Sequence, residues 1–449
     1  MHLVEAAGKR LLLDCGLFQG RRDEAWERNA QQRTEADRVH AVLLSHAHID
    51  HSGALPLLAS QGFRGRIHMT TPTAPLTAVL LRDAAKIQAR DTEHLRKHQH
   101  ISREPLYTPE HAEAVQRQFQ TADYGAWFEV APGIRALFRN AGHILGSASV
   151  HLEVRENGHS PVRVTFTGDF GRRGTPILKD PEALDPAEVV ITESTYGARV
   201  HSHGPEDAMT PCASLLEAVQ WILRSGGKLL IPAFSVGRTQ NLLWSLNEAM
   251  DAGQIPRMPV FVDSPLAVAA TRIMEAHPQC FDEQALQRLR RSLALLQSRE
   301  VRFTEGVEES KSINTFRGNA VILAGSGMCE SGRVLHHLKR LLPFQENCVA
   351  LSGYQAQHTL GRRLQEGRNP VQILGDEVRV EARVLSIRGF SAHADRDELL
   401  SALQPLQAQA GRTFVVHGEP EQADGLASSL KGRGFQGVFV PQEGESVEI

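Results

Sequence analysis

The tightest constraint on this chain is the run His46-Ala47-His48-Ile49-Asp50-His51, which directly follows the apolar segment Ala41-Val42-Leu43-Leu44. Four imidazole or carboxylate groups in six residues, set at the end of a buried strand, need something to compensate them. Both side-chain types suit zinc. Two histidines two apart on extended backbone project to the same side, where one ion can be shared. Asp50 and His51 turn with the chain towards a second ion. The following Ser52-Gly53-Ala54-Leu55-Pro56-Leu57-Leu58 reads as the start of a helix that anchors the loop, the kind of support a metal site requires.

Other features narrow the class. The five cysteines, Cys15, Cys212, Cys280, Cys329 and Cys348, are scattered and form no CxxC pair, which fits reduced thiols and leaves His and carboxylate as the metal ligands. A chain of 449 residues exceeds one ordinary core, so two domains, or one domain with a large insertion, are expected. Its 41% hydrophobic and 22% charged content is that of a soluble globular protein, and no segment reaches the roughly 18 apolar residues of a membrane span. The start, Met1-His2-Leu3-Val4-Glu5, has neither a basic nor an apolar leader pattern, so a cytoplasmic protein is the expectation. A formal net charge of −3 argues against a globally cationic nucleic-acid wrapper, so contact with a polyanion has to be local. Of the 21 histidines, His94, His98, His100 and His111 fall in a polar stretch that reads as a solvated helix and loop.

Along the chain, short aliphatic runs alternate with helical patterns, as in an α/β protein. Residues 11–14, 41–44, 162–167 and 189–192 read as buried strands, and several lead straight into polar residues: Asp14, the His46–His51 run, and Gly168-Asp169-Phe170-Gly171. From about Pro205 to Pro370 the pattern becomes a second α/β unit, with helices over 205–225, 237–252 and 331–341 and strands over 228–232, 259–262, 320–323 and 348–351.

Taken in order, Asp14, the HxHxDH run, His143 within Ala141-Gly142-His143-Ile144-Leu145-Gly146-Ser147, and Asp169 after Thr167-Gly168 resemble the signature of the metallo-β-lactamase superfamily. The resemblance implies an αββα sandwich in which His46, His48 and His143 hold one zinc, Asp50 and His51 hold another, Asp169 bridges them, and Asp14 orients a ligand without binding metal. Lactamases, thioesterases and nucleases share that site, so the rest of the chain has to discriminate. Thr192-Glu193-Ser194-Thr195-Tyr196-Gly197 with Arg199 and His201, Ile231-Pro232-Ala233-Phe234-Ser235-Val236-Gly237-Arg238, Val262-Asp263-Ser264-Pro265 and Leu323-Ala324-Gly325-Ser326-Gly327-Met328 resemble segments of the β-CASP nucleases. His393 in Phe390-Ser391-Ala392-His393-Ala394-Asp395 and His417 in Val415-Val416-His417-Gly418 match the remaining motifs, and a histidine at His417 is the mark of RNA-directed members. The chain is thereby similar to bacterial homologues of the nuclease subunit that cleaves pre-mRNA 3′ ends. It would place the amino-terminal part of the metallo-β-lactamase domain at 1–200, an inserted α/β β-CASP domain at 201–375, and the carboxy-terminal part of the first domain at 376–449.

The resemblance implies a ribonuclease with two Zn²⁺ per chain that hydrolyses single-stranded RNA to 5′-phosphate and 3′-hydroxyl ends. His417 joins the metal ligands. Asp50 and His393 are expected to act in catalysis, His393 as the general acid with Glu193 accepting its other ring proton. Ser326, Gly327 and Arg333 are candidates for holding a phosphate of the RNA, whereas Arg288, Arg290 and Arg291 are explained equally well as a solvated helix face. A small-molecule thioesterase or lactamase, or a DNA-directed nuclease, is the competing reading, and a homodimer is an open expectation. Relatives place one more strand and a Thr-Gly-Ser turn before the segment that opens here with Met1. This leads to the expectation that Met1 is an internal methionine or that this form is truncated, with His2–Glu5 the second strand and Ala6-Ala7-Gly8-Lys9 a hairpin turn.

Overall fold

A computed structural model describes residues 1–449 other than 19, 21, 32–34, 99, 157, 202–212, 292–294 and 388. It divides into two units: Met1–Thr175 with Lys179–Val200 and His393–Ile449, and Pro176–Leu178 with His201–Ala392.

Two sheets form the first unit. One has five strands in the order His2–Ala6, Lys9–Leu13, Ala41–Leu43, Arg66–Thr70 and Phe119–Ala122. The other has seven, running from Val438–Phe439 through Arg412–Val415, Val189–Thr192, Val162–Phe166, Ala148–Val154 and Ile134–Asn140 to Phe128–Ala131. Alternation along each strand decides what lies between them. Leu11, Leu13 and Leu43 point inward to meet Phe138, Val150, Leu152, Phe166 and Ile191, while Leu12, Val42 and Ile67 point outward to Leu55, Leu58 and Leu81 of flanking helices. The outer face of the second sheet buries Val190 and Val415 under Leu399, Leu400, Leu426 and Leu430. This is the αββα sandwich. The strands read as unbroken apolar runs because both of their faces are covered. The first hairpin closes with Ala7 and Gly8 at φ 49 and 69, the two positive values that a tight turn between twisted strands requires.

The second unit is a parallel sheet ordered Val301–Phe303, Val260–Asp263, Ala320–Ala324, Lys228–Pro232, Cys348–Leu351 and Arg383–Ser386. The helices Arg238–Asp251 and Arg333–Leu341 stand where their periodicity places them, and Ala213–Ser225 covers the described part of the helix expected from Pro205. One boundary differs from the expectation. Arg383–Ser386 pairs in register with Cys348–Leu351, so this unit keeps the chain until Ala392, whereas the sequence suggests a return to the first unit at 376. No helix among the described residues is long and apolar enough to cross a membrane.

Candidate metal centre

Sheet polarity assembles the site. Lys9–Leu13 and Ala41–Leu43 run parallel, as do Val162–Phe166, Val189–Thr192 and Arg412–Val415, and the residues just past their carboxyl ends include Asp14, His46, Asp169, Glu193 and His417. Ala148–Val154 is antiparallel to Val162–Phe166, so its leading loop, carrying His143, opens at that same end. Turns there are tight. Gly168 has φ 56, and a β-carbon on it would lie 2.7 Å from that of Ser45, so only glycine lets Asp169 enter the site. Asp14 and His417 also adopt left-handed backbone, at φ 60 and 51, a cost of the kind that functional sites concentrate.

Three overlapping groups of candidate ligand atoms result: His46, His48, His143 and Asp169; Asp50, His51 and His417; and Asp169, Glu193 and His417. In the first, His46 Nε2 and His48 Nδ1 are 3.1 Å apart, and His48 Nδ1 and His143 Nε2 are 3.3 Å apart. Asp169 Oδ2 stands 3.5 Å from His46 Nε2 and 3.7 Å from His143 Nε2. Ligand atoms about 2.0–2.1 Å from a tetrahedral zinc stand about 3.3–3.4 Å from each other, so these four suit that ion. In the second group, His51 Nε2 and Asp169 Oδ1 are 3.2 Å apart, both buried, and neither has a hydrogen-bond partner. Two such atoms turned on one point need a shared proton or a metal cation between them. His417 completes the group between two carboxylates, with Nδ1 3.2 Å from Asp169 Oδ1 and Nε2 3.6 Å from Asp50 Oδ2. The residues present therefore fit metal.

Supporting contacts fix the rings. Asp14 Oδ2 lies 2.6 Å from His51 Nδ1 and accepts from Ser45 Oγ at 2.8 Å, while Asp14 Oδ1 accepts from Ser45 N–H at 2.7 Å. Ser45 Oγ is also 3.0 Å from His46 Nδ1. Asp14 thus orients the His51 ring and stands outside the candidate ligand groups. Ser45 is a residue that the sequence reading passed over, although its place between a strand and the first histidine is the available signal. Burial, then the neighbouring His51, hold His46 neutral, and burial, then His393, do the same for His143. His51 is the reverse: burial opposes its charge, but Asp169 and Asp14 raise its pKa well above the usual value. A cation at Asp169 would replace that proton.

Glu193 and His393 stand beside the first two groups. Glu193 is buried, with Oε1 accepting from Phe170 N–H at 2.6 Å and Oε2 from Thr195 N–H at 3.2 Å, and His393 Nδ1 is 3.2 Å from Oε1. Ala394 N–H donates to Phe170 O at 2.7 Å and ties the His393 segment to the loop after Asp169. Burial works against a charged His393, yet Glu193 outweighs it and raises the imidazole to about 9.

Comparison with known proteins agrees with this geometry. The model of the metallo-beta-lactamase superfamily matches residues 1–200, the Beta-Casp domain matches 239–364, and the Zn-dependent metallo-hydrolase RNA specificity domain matches 377–441. The chain is 36% identical over 451 residues to ribonuclease TTHA0252 of Thermus thermophilus, spanning 100% of this chain and 96% of that one. The chain belongs to the β-CASP family of metallo-β-lactamase hydrolases. It is also 30% identical to transcription termination factor FttA of Cenarchaeum symbiosum, across 100% of this chain and 68% of the relative, and 33% identical to FttA of Pyrococcus abyssi, across 87% and 59%.

Within the inserted unit of this β-CASP protein, the residues expected to hold phosphate are engaged elsewhere. Arg333 Nη1 is 2.6 Å from Asp263 Oδ1 and donates to Thr304 O at 3.1 Å, and its Nη2 donates to Glu305 O at 2.6 Å. Ser326 N–H donates to Ser331 O at 3.0 Å, and Ser326 Oγ accepts from Glu330 N–H at 3.0 Å. Gly327 packs against Phe234. Arg333 and Ser326 are thus held in place by partners within the unit. Sequence identifies a guanidinium and a glycine turn, but not the buried Asp263 that claims the guanidinium. Arg288 is paired with Glu248 and Asp251, as a structural role predicts. Among the described cysteines, Cys15, Cys329 and Cys348 are free thiols.

Proposed function

We propose that this β-CASP protein is a two-zinc ribonuclease that cuts single-stranded RNA to 5′-phosphate and 3′-hydroxyl ends, working in RNA processing or decay in the cytoplasm, with a homodimer as its assembly. His46, His48, His143 and Asp169 would hold one zinc, and Asp50, His51, His417 and Asp169 the other. Bound there, the ions would supply Lewis-acid charge for the phosphoryl oxygens and acidify water near neutral pH.

The observation that carries the reading is the Glu193–His393 pair, 3.2 Å apart, in which His393 belongs to none of the candidate ligand groups and Glu193 is committed to two backbone amides and to the imidazole. Phosphodiester hydrolysis leaves a poor alkoxide, and the chain supplies a proton donor for it. With Nδ1 turned to Glu193, His393 gives its Nε2 proton to the departing 3′ oxygen. Glu193, fixed by two backbone amides, keeps the imidazole charged and aimed. Asp14 and Ser45 hold the rings of His51 and His46 in their binding orientation. Asp50, half-buried at the rim, is both a ligand and a fixed negative charge facing His417. The relatives, a ribonuclease and a transcription termination factor, support RNA as the substrate.

The test is incubation of the zinc-loaded protein with 5′-labelled single-stranded RNA, the equivalent DNA and a chromogenic lactam. RNA cleavage is expected. Cleavage of the lactam alone supports a small-molecule hydrolase instead, and preference for DNA supports a DNA-directed nuclease. Circular and linear RNAs separate endonuclease from exonuclease action, and light scattering measures the assembly.

A further inference from the structure

In the inserted unit's parallel sheet, the chain leaves Lys228–Pro232 towards Val260–Asp263 on one side, whereas it leaves the adjacent strand Ala320–Ala324 towards Cys348–Leu351 on the other. The two connections thus run in opposite directions, each passing its neighbour, and an open α/β sheet binds its ligands beyond the carboxyl ends of the strands at which the winding reverses. Phe234 stands in that position. It lies two residues past Pro232, and its side chain is 42% exposed, among the more exposed large apolar groups of the described residues.

The ring is held, not loose. A β-carbon on Gly327 would lie 3.1 Å from Phe234 Cδ2 and 3.2 Å from Cε2, so the phenyl group rests on glycine backbone. Gly327 O accepts from the amide of buried Gln355 at 3.2 Å, and Phe234 O accepts from Thr239 Oγ1 at 2.8 Å. The glycine turn that resembles a phosphate cradle thus serves as the seat of an aromatic ring. Tyr354, 38% exposed, follows the next strand on the same edge, and the Arg238 guanidinium lies against Gly353 beside it. A pinned aromatic ring presented to water is the kind of surface on which single-stranded nucleic acid stacks its bases.

We propose that Phe234 is a stacking platform for an unpaired base of the RNA. This rests on the ribonuclease reading for the identity of the ligand. Because the contact is to a π face and not to a base edge, it adds affinity with little sequence preference.

The experiment compares zinc-loaded full-length protein with its Phe234→Ala, Phe234→Leu and Phe234→Trp variants. Binding is read by anisotropy of a labelled phosphorothioate RNA, intact or carrying abasic positions, and turnover is read on RNA and on bis(p-nitrophenyl) phosphate. Alanine and leucine should weaken binding of intact RNA roughly five- to a hundredfold and raise KM, while tryptophan preserves both. All variants should hydrolyse the nitrophenyl ester equally, which also certifies folding and metal loading. Abasic RNA should bind the parent and Phe234→Ala alike. Gly327→Ala, which lifts the ring from its seat, should lose affinity in the same direction. Unchanged binding of intact RNA by both Phe234→Ala and Phe234→Leu, or an equal defect with abasic RNA, overturns the platform. A parent protein that binds RNA through Phe234 but never cuts it overturns the ribonuclease reading alone.

Discussion

Asp14 Oδ2 and His51 Nδ1 lie 2.6 Å apart, and this contact turns the other nitrogen of His51 towards Asp169 Oδ1, 3.2 Å away. A carboxylate thus decides which ring nitrogen would meet a metal, and it does so from a left-handed backbone that an asparagine also tolerates. Asp14→Asn should weaken binding of one zinc by roughly ten- to a hundredfold while leaving the other in place. Chelator competition followed by elemental analysis measures this, and equal loss of both metals would contradict the assignment.

The two groups assigned to zinc differ in exposure. His46 and Asp169 are almost completely buried, whereas the side chains of Asp50 and His417 are 36% and 35% exposed. A chelator should therefore strip the second site first. Asp50→Ala combined with His51→Ala should leave about one zinc per chain and little hydrolysis. Active protein that contains no metal would end the proposal.

His393 should donate a proton without holding metal. Its alanine variant should keep both zincs and lose roughly a hundredfold or more on RNA. A nitrophenyl phosphodiester, whose leaving group needs no proton, should recover much of the loss. Glu193→Gln should show the same pattern more mildly, since it removes the charge that holds His393 protonated. Equal damage on both substrates would mean that His393 does something else.

Protonation of two buried histidines should set the acid limit of the first unit. Burial, then Arg66, lowers His68 to about 4, and burial lowers His151 to about 4, where it sits between Ser149 and Thr165. Both folded values lie below the unfolded value of about 6.5. Their contribution is therefore complete above pH 6.5 and lost as the pH falls towards 4, on the order of 1–3 kcal/mol each. Melting curves of metal-free protein from pH 7 to 4 should show the decline, and His151→Gln should flatten it. A variant as acid-sensitive as the parent would refute the cause.

In the inserted unit, Asp263 accepts from Arg333, Thr304 Oγ1, Ser310 Oγ and His337 Nε2 at 2.6–2.7 Å, entirely buried. Asp263→Leu should cost about 3–5 kcal/mol, because it strands the Arg333 charge. Denaturant titration checks the value, and a loss under 1 kcal/mol would show that Arg333 finds another partner.

Local pattern carried much of this molecule. The His46–His51 run is a strand end followed by a short helical turn, and Gly168-Asp169 is a turn that only glycine permits, so composition and spacing alone mark them as places where a chain gathers ligands. Buried alternation in Leu11–Leu13 likewise marks a strand covered on both faces. Tertiary structure decided what depends on partners distant in the chain. Arg333 reads as a free cation until Asp263, seventy residues earlier, is seen to hold it. Arg383–Ser386 reads as part of the closing segment until its pairing with Cys348–Leu351 assigns it to the inserted sheet. That Phe234 rests on Gly327 is likewise invisible in the sequence. A sequence states which groups a strand end can offer. Whether a group faces metal, a carboxylate or water is set by side chains that only the folded chain brings within 3 to 4 Å of it.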